Sequence, residues 1–379
     1  MKKKVLIVTL NDYIIYQPTI LNLYDFLLPH FDVQIISFKP EFVTQQKDET
    51  RNIIYLEPSP RWKELYNKFD FAMSKVAKLV RKIKPGYIYH YRYYNKYLPQ
   101  VLRNYLRRTK PQVDVVIAVD FPALHVAQQH FGSVHFLSLE IDNKDTPNYH
   151  MVDRSKIKSV FIQLPMRYEY LFPGLQLKTF YVQNAPVFAG RPAQEKPRRD
   201  YVWAGTMLRD RVEGCLEFFN QYPQYRLVLK GGANKRSMEF IRETYGHLIT
   251  SGRITIDNTY LPEDQFTDYL SAFRIGFVFY SWHDIRNNFN FYSAPSGKLF
   301  MCLAAGTPVI ACNIPGFAFV KEFGVGVLID DYEPATIHAA LEEIESDFEN
   351  YSARCYKAAE HFSFDKAVQP YIQYLHSHS

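Results

Sequence analysis

The residues best suited to chemistry gather in Ser293–Val309, where Pro295-Ser296-Gly297-Lys298 leads into Leu299-Phe300-Met301-Cys302-Leu303-Ala304-Ala305-Gly306. A small polar turn opens a short apolar helix there. The first N–H groups of a helix lack partners within it and carry partial positive charge, which suits a diphosphate. Lys298 adds a point charge on the same turn. The competing reading of these residues is an ordinary Ser-capped buried helix with Lys298 in solvent.

Lys230 precedes Gly231-Gly232 at an expected strand end and is a second candidate for phosphate. The GxxxxGK[ST] spacing of a phosphate-binding P-loop is absent, and a solvated lysine beside a turn accounts for it as well. The histidines show no HExxH or similar spacing. The four cysteines are scattered without a CxxC pair. Neither a metal site nor a disulfide framework is expected, and a reducing cytoplasm fits best.

These residues need elements to position them. Short apolar runs at Val5–Thr9, Val33–Phe38, Ile53–Leu56, Val113–Val119, Val134–Leu139 and Lys158–Gln163 read as strands. Most are continuous instead of alternating, as parallel strands covered on both faces require. The spacing of Trp62, Leu65, Tyr66, Phe69, Met73, Val76, Val80 and Ile83 predicts an amphipathic helix. After a strand at Phe180–Val182, the polar, proline-punctuated stretch 188–199 reads as a linker. The alternation restarts with strands at Tyr201–Ala204, Arg226–Leu229, Ile254–Ile256, Ile275–Tyr280, Pro308–Ala311 and Val325–Ile329. Helices are expected between them, with Pro262 and Pro334 at first helical positions and Gly306 as a left-handed cap.

The expected architecture is therefore α/β: two Rossmann-like, doubly wound parallel-sheet domains facing a central cleft. Residues 1–187 form the first, 188–199 the linker and 200–363 the second, with 364–379 packing back on the first. A chain of 379 residues with 47% hydrophobic content fits two cores. Val5–Val8 is too short before Asn11 and Asp12 for a signal peptide and reads as a first strand. The net charge of +6 is uneven, with Lys and Arg concentrated in 61–110 and tyrosines interleaved through Tyr87–Tyr97. That segment has three readings: peripheral contact with an anionic membrane, an aromatic acceptor surface, or a packed helix pair with a solvated basic face. Nucleic acid is not expected, because no recognition module accompanies the charge.

Pro295-Ser296-Gly297-Lys298-Leu299-Phe300 followed by Leu303-Ala304-Ala305-Gly306-Thr307-Pro308-Val309 resembles the donor-site helix of group 1 and related GT-B glycosyltransferases. The similarity continues at Asn184-Ala185-Pro186, Ala204-Gly205-Thr206, Leu261-Pro262-Glu263 and Phe319-Val320 with Gly324-Val325-Gly326. It implies that Gly205, Thr206, Arg211, Ser296, Gly297 and Lys298 meet donor phosphates, with Arg211 favoured over Arg209 by its spacing from Gly205. It also places Asp120 and Glu140, with Asp142 less favoured, at the acceptor or general-base position. Asp120 as a plain helix N-cap and Glu140 in a solvated loop remain open. The chain departs from the family at Ser293 and Met301, where many members carry two glutamates. This looks closer to bacterial glucosyl- and galactofuranosyl-type transferases, with ribose contacts sought among Asp284, Asn287, Asn288 and Tyr292.

The resemblance implies transfer of a sugar from a nucleotide diphosphate sugar, first of all a UDP-sugar. The acceptor would be a glycan, glycolipid or protein-linked sugar in bacterial surface polysaccharide or glycoconjugate synthesis. No cofactor or essential metal is expected, and the expected place is the cytoplasm, at the inner membrane face if the acceptor is lipid-linked. A nucleotide-sugar epimerase and a non-catalytic subunit of the same fold are the alternatives.

Overall fold

The computed structural model describes residues 2–39, 47–61, 64, 68, 96–141, 147–191 and 197–378. The amphipathic pattern at 62–83, most of the tyrosine-rich segment and Asp142 lie outside them. Two compact units are present: Met1–Tyr181 with Val368–Ser379, and Val182–Ala367. The division falls ahead of the expected 188–199 linker, because Phe188 and Arg198 are already bonded into the second unit, to Ser363 and Gly306.

The first unit runs β1 (Lys4–Val8), α1 (Pro18–Leu27), β2 (Asp32–Phe38), β3 (Ile53–Leu56), α2 (Leu98–Thr109), β4 (Val115–Val119), α3 (Asp120–Gln128), β5 (Val134–Leu137), α4 (Pro147–Met151), β6 (Ile157–Ile162), α5 (Pro165–Leu171) and β7 (Thr179–Tyr181). Its strands form one sheet in the order β3-β2-β1-β4-β5-β6-β7, parallel throughout. Val5 to Val8 and all of β4 are buried, which is why their apolar runs are unbroken.

The second unit runs β8 (Tyr201–Ala204), α6 (Arg209–Gln221), β9 (Leu227–Lys230), α7 (Lys235–Thr250), β10 (Ile254–Asp257), α8 (Glu263–Leu270), β11 (Ile275–Val278), α9 (Trp282–Asn287), α10 (Phe289–Tyr292), α11 (Gly297–Ala304), β12 (Val309–Cys312), α12 (Ala318–Phe323), β13 (Gly326–Ile329), α13 (Pro334–Ser346) and α14 (Phe348–Phe362). Its sheet order is β10-β9-β8-β11-β12-β13, again all parallel. Successive strand residues go to opposite faces. Tyr201, Trp203 and Phe277 join one core with α6 and α13, while Val202, Ala204 and Val278 join another with α11 and α14. Pro334 does open α13, but Pro262 is the residue before α8, with an extended ψ of 162°. Gly306 is left-handed as expected, with φ 65°.

The last helix, α15 (Phe364–His378), supplies the first unit's remaining core. Its Tyr371 is fully buried, 5.0 Å from Phe161 and 5.2 Å from Phe180 by ring centroid. Its His376 stacks on Phe31 at 4.6 Å.

Candidate functional site

Strand order reverses between β8 and β11 in the second unit, and ligands of open parallel sheets bind beyond the strand ends at such a point. The segments leaving these two strands are Gly205–Leu208 and Phe279–Ser281. Gly205 has φ 129°, and a Cβ there would overlap Nζ and Cε of Lys298. Only glycine leaves room for that ammonium. Lys298 has neither a hydrogen bond nor an ion pair among the described residues. Burial, and secondarily the charge of Arg211, lower its pKa to about 8.

Arg211 projects from the first turn of α6 and is largely buried. Its guanidinium lies 5.1 Å from the Phe291 ring centre and 5.6 Å from that of Tyr280, with Asp284 as an ion-pair partner at 3.5 Å. Its Nε is buried without an acceptor. Two cations thus stand close together with one carboxylate among the described residues, that of Asp284, to balance them. Such an arrangement favours a multiply charged anion.

The start of α11 completes the arrangement. Ser296 precedes the helix with ψ 117°, but its hydroxyl does not cap it. The Ser296 carbonyl accepts the N–H groups of Leu299 (3.0 Å) and Phe300 (3.3 Å). Those of Gly297 and Lys298 find no acceptor among the described residues, and they are the ones an anion would meet. The Ser-capped alternative therefore does not describe this helix.

Other expected residues have different surroundings. Lys230 is buried, and its ammonium bonds to the carbonyl (2.8 Å) and hydroxyl (2.6 Å) of Thr259 and pairs with Asp257 at 2.9 Å. Its three donor positions are filled, so here it braces the ends of β9 and β10. Burial opposes ionisation of Asp257, but Thr259 and Lys230 hold its carboxyl well below the usual range. Thr206 is exposed beside Gly205. Arg209 pairs with Glu213 on the surface of α6 at 3.1 Å. Ser293 is fully buried and donates to the Phe289 carbonyl at 2.7 Å, while Met301 packs on the apolar core. Neither position offers a ribose acceptor. Asn287 is turned to the His283 carbonyl at 2.7 Å, and Asn288 accepts from the Asn290 amide at 2.9 Å. Tyr292 is exposed.

The first unit's sheet reverses between β1 and β4. Asp120 stands there with φ 61°, a left-handed conformation that Asp tolerates better than most residues. Its carboxylate accepts the amides of Leu139 (2.8 Å) and Glu140 (3.1 Å), not those of its own helix. It ties the end of β4 to the segment after β5, at the backbone of the exposed Glu140. Tyr13 joins this group. The residue is 40% exposed, but partial burial of its hydroxyl, then the charges of Glu140, Asp12 and Asp120, push that hydroxyl up to about 12, so it stays a hydrogen-bond donor. Beside β3 and α2 lies a cavity of about 880 Å³ bordered by Tyr55, Tyr97, Tyr105, Gln100, Asn104 and Arg108.

Sequence reasoning missed Tyr13, Phe291 and Arg198. Tyr13 stands beside Ile14 and Ile15 and Phe291 between Phe289 and Tyr292, apolar stretches that spacing cannot distinguish from core. Arg198 was counted as linker. No helix of the described residues is long and apolar enough to cross a membrane. No three His, Cys, Asp or Glu side chains among them converge as a metal site.

No protein-family model matches this chain, and no curated protein matches it by sequence. Solved structures do match its fold. Anabaena HepE in complex with UDP is similar at a TM-score of 0.66 and 13% identity, over 100% of both chains. Sucrose-phosphate synthase from Thermosynechococcus elongatus gives 0.64 and 14%, over 99% of this chain and 98% of its own. A trehalose-6-phosphate structure from E. coli bound with UDP-2-fluoro glucose gives 0.64 and 12%, over 98% of each. With the two parallel sheets above, these likenesses make the architecture GT-B.

Proposed function

We propose that this chain is a glycosyltransferase using a nucleotide diphosphate sugar, with the diphosphate held in the second unit. The observation that carries the reading is Lys298, a half-buried lysine whose ammonium has no anionic partner among the described residues, beside Arg211 and against Gly205. In this reading Lys298, Arg211 and the N–H groups of Gly297 and Lys298 hold the two phosphates. As the bond from the anomeric carbon to the phosphate oxygen breaks, charge accumulates on that oxygen, and prealigned donors stabilise it more than they stabilise the substrate. The acceptor oxygen bonds to the anomeric carbon and gives its proton to a carboxylate. Glu140, whose backbone amide is held by Asp120, is the residue proposed for that base.

Because HepE was solved with UDP and the E. coli protein with UDP-2-fluoro glucose, a UDP-sugar is the first donor to test. The first unit takes the acceptor in this proposal. The tyrosines and amides beside β3 and α2 suit a glycan, the sugar part of a glycolipid or a protein-linked sugar. Work in bacterial surface glycoconjugate synthesis at the inner membrane face is the cellular setting we infer from the sequence resemblance.

The test is calorimetric titration of UDP into the native protein and the K298M/R211M double variant. We expect loss of measurable binding in the variant with no lowering of its Tm. Unchanged affinity would remove these residues from the donor site. Native protein that binds UDP but turns over no UDP-sugar with any acceptor tried would favour the non-catalytic subunit.

A further inference from the structure

We propose that Arg198 is a positioning residue for α11, gripping its carboxyl end so that its amino end presents Gly297 and Lys298 correctly; the proposal rests on that end being the diphosphate site. The Arg198 guanidinium donates to the carbonyls of Gly306 at 2.6 Å and Ala305 at 3.1 Å. It also donates to the hydroxyls of Tyr356 at 3.1 Å and Thr307 at 3.3 Å. Ser352 adds a bond to the Gly306 carbonyl at 2.8 Å, and Tyr356 one to that of Ala305 at 3.3 Å.

The Ala305 carbonyl is at the helix C-cap, where unpaired oxygens carry partial negative charge, and the Gly306 carbonyl follows it directly, so a guanidinium satisfies the hydrogen bonding of both and the field at the helix end. The site is shaped for the grip. Gly306 is left-handed, and a Cβ on it would meet the Tyr356 ring. Thr307 is in turn fixed to the Leu270 carbonyl at 3.0 Å. The hydrogen-bonded rod of α11 is only about 12 Å long at helical rise. Tilting its carboxyl end therefore displaces its amino end, and with it the Lys298 ammonium that occupies the space a Cβ on Gly205 would take. Displacement on the order of 1 Å at a site of this kind is costly.

The experiment uses the full chain and four proteins: native, R198M, R198K and R199M. Arg199 is the exposed neighbour, its backbone amide bonded to the Ala272 carbonyl, and controls for charge. Two readouts are needed: UDP affinity by calorimetry, and the pH midpoint of Lys298 acetylation by acetic anhydride, followed by peptide mass spectrometry. R198M is expected to weaken UDP on the order of tenfold and to raise the Lys298 midpoint as the ammonium gains water. R198K should recover part of both, and R199M should match native. A lower Tm in R198M with native UDP affinity and a native Lys298 midpoint would overturn the proposal, because a merely structural residue behaves that way. If R198M does not fold, R198K decides by the same readouts. If native protein fails to bind UDP, the donor-site reading falls, while the Lys298 midpoint still judges Arg198.

Discussion

Lys298 couples stability and ligand binding in opposite directions. Its folded pKa, lowered to about 8 by burial and then by Arg211, lies below that of an unfolded lysine, about 10.4. The folded state therefore disfavours the proton. The penalty is fully present below pH 8 and fades as pH rises toward the unfolded value. K298M should accordingly raise the Tm of the ligand-free protein at pH 7 by a few degrees, roughly 1 kcal/mol, while eliminating UDP binding. A scanning-calorimetry Tm that falls instead would show the ammonium to be internally compensated. In native protein, UDP affinity should decline between pH 7 and 9 as Lys298 loses its proton, and a flat profile would contradict its role. Gly205 tests the same contact from the other side. G205A places a methyl group onto the Lys298 side chain in a conformation L residues rarely adopt. It should cost about 1–3 kcal/mol of stability and abolish UDP binding.

Elements in each unit are held at their carboxyl ends by side chains that cross between strands. Asp120 joins β4 to the segment after β5 through two amides, and Lys230 joins β9 to β10 through Thr259 and Asp257. D120A removes an acceptor shared by two amides and should destabilise the protein by about 1–3 kcal/mol. D120N keeps an acceptor oxygen and should lose less; equal loss in the two would point to the charge instead of the hydrogen bonds. Chemical denaturation curves distinguish these outcomes. The elements themselves were largely legible beforehand. The strand at Tyr201–Ala204 lies where its apolar run placed it, and β11 ends at Val278 where the run suggested Tyr280. The difference has a cause: Tyr280 turns out of the sheet, and its amide and carbonyl both engage the Tyr332 hydroxyl.

At the scale of the molecule, the two units depend on different parts of the chain. The first draws Val368–Ser379 from the far end, with Tyr371 between Phe161 and Phe180. Truncation after Ala367 exposes those rings and should lower the first unit's unfolding temperature markedly. UDP binding, proposed for the second unit alone, should survive at a temperature where that unit is folded. Loss of UDP binding together with an unaltered first transition would refute this division of labour. Bound UDP should conversely stabilise native protein by about 2.7 kcal/mol at a hundredfold excess over Kd.

Alternation of strand and helix, the parallel sheets and the GT-B architecture were determined by the sequence itself. Strands covered on both faces have to be continuous apolar runs, and Gly306 and Pro334 mark boundaries through their own φ preferences. The Ser296–Lys298 turn was visible for the same local reason. What only the tertiary structure decided is the partner of each charged group. Lys230 reaches Thr259, Arg211 reaches Asp284, Arg198 reaches Gly306 and Asp120 reaches Leu139. These pairs lie far apart along the chain, and strand order brings them together. Spacing does not carry that order, so Lys230 and Lys298 looked alike until the sheet put Asp257 beside one and, among the described residues, no anion beside the other.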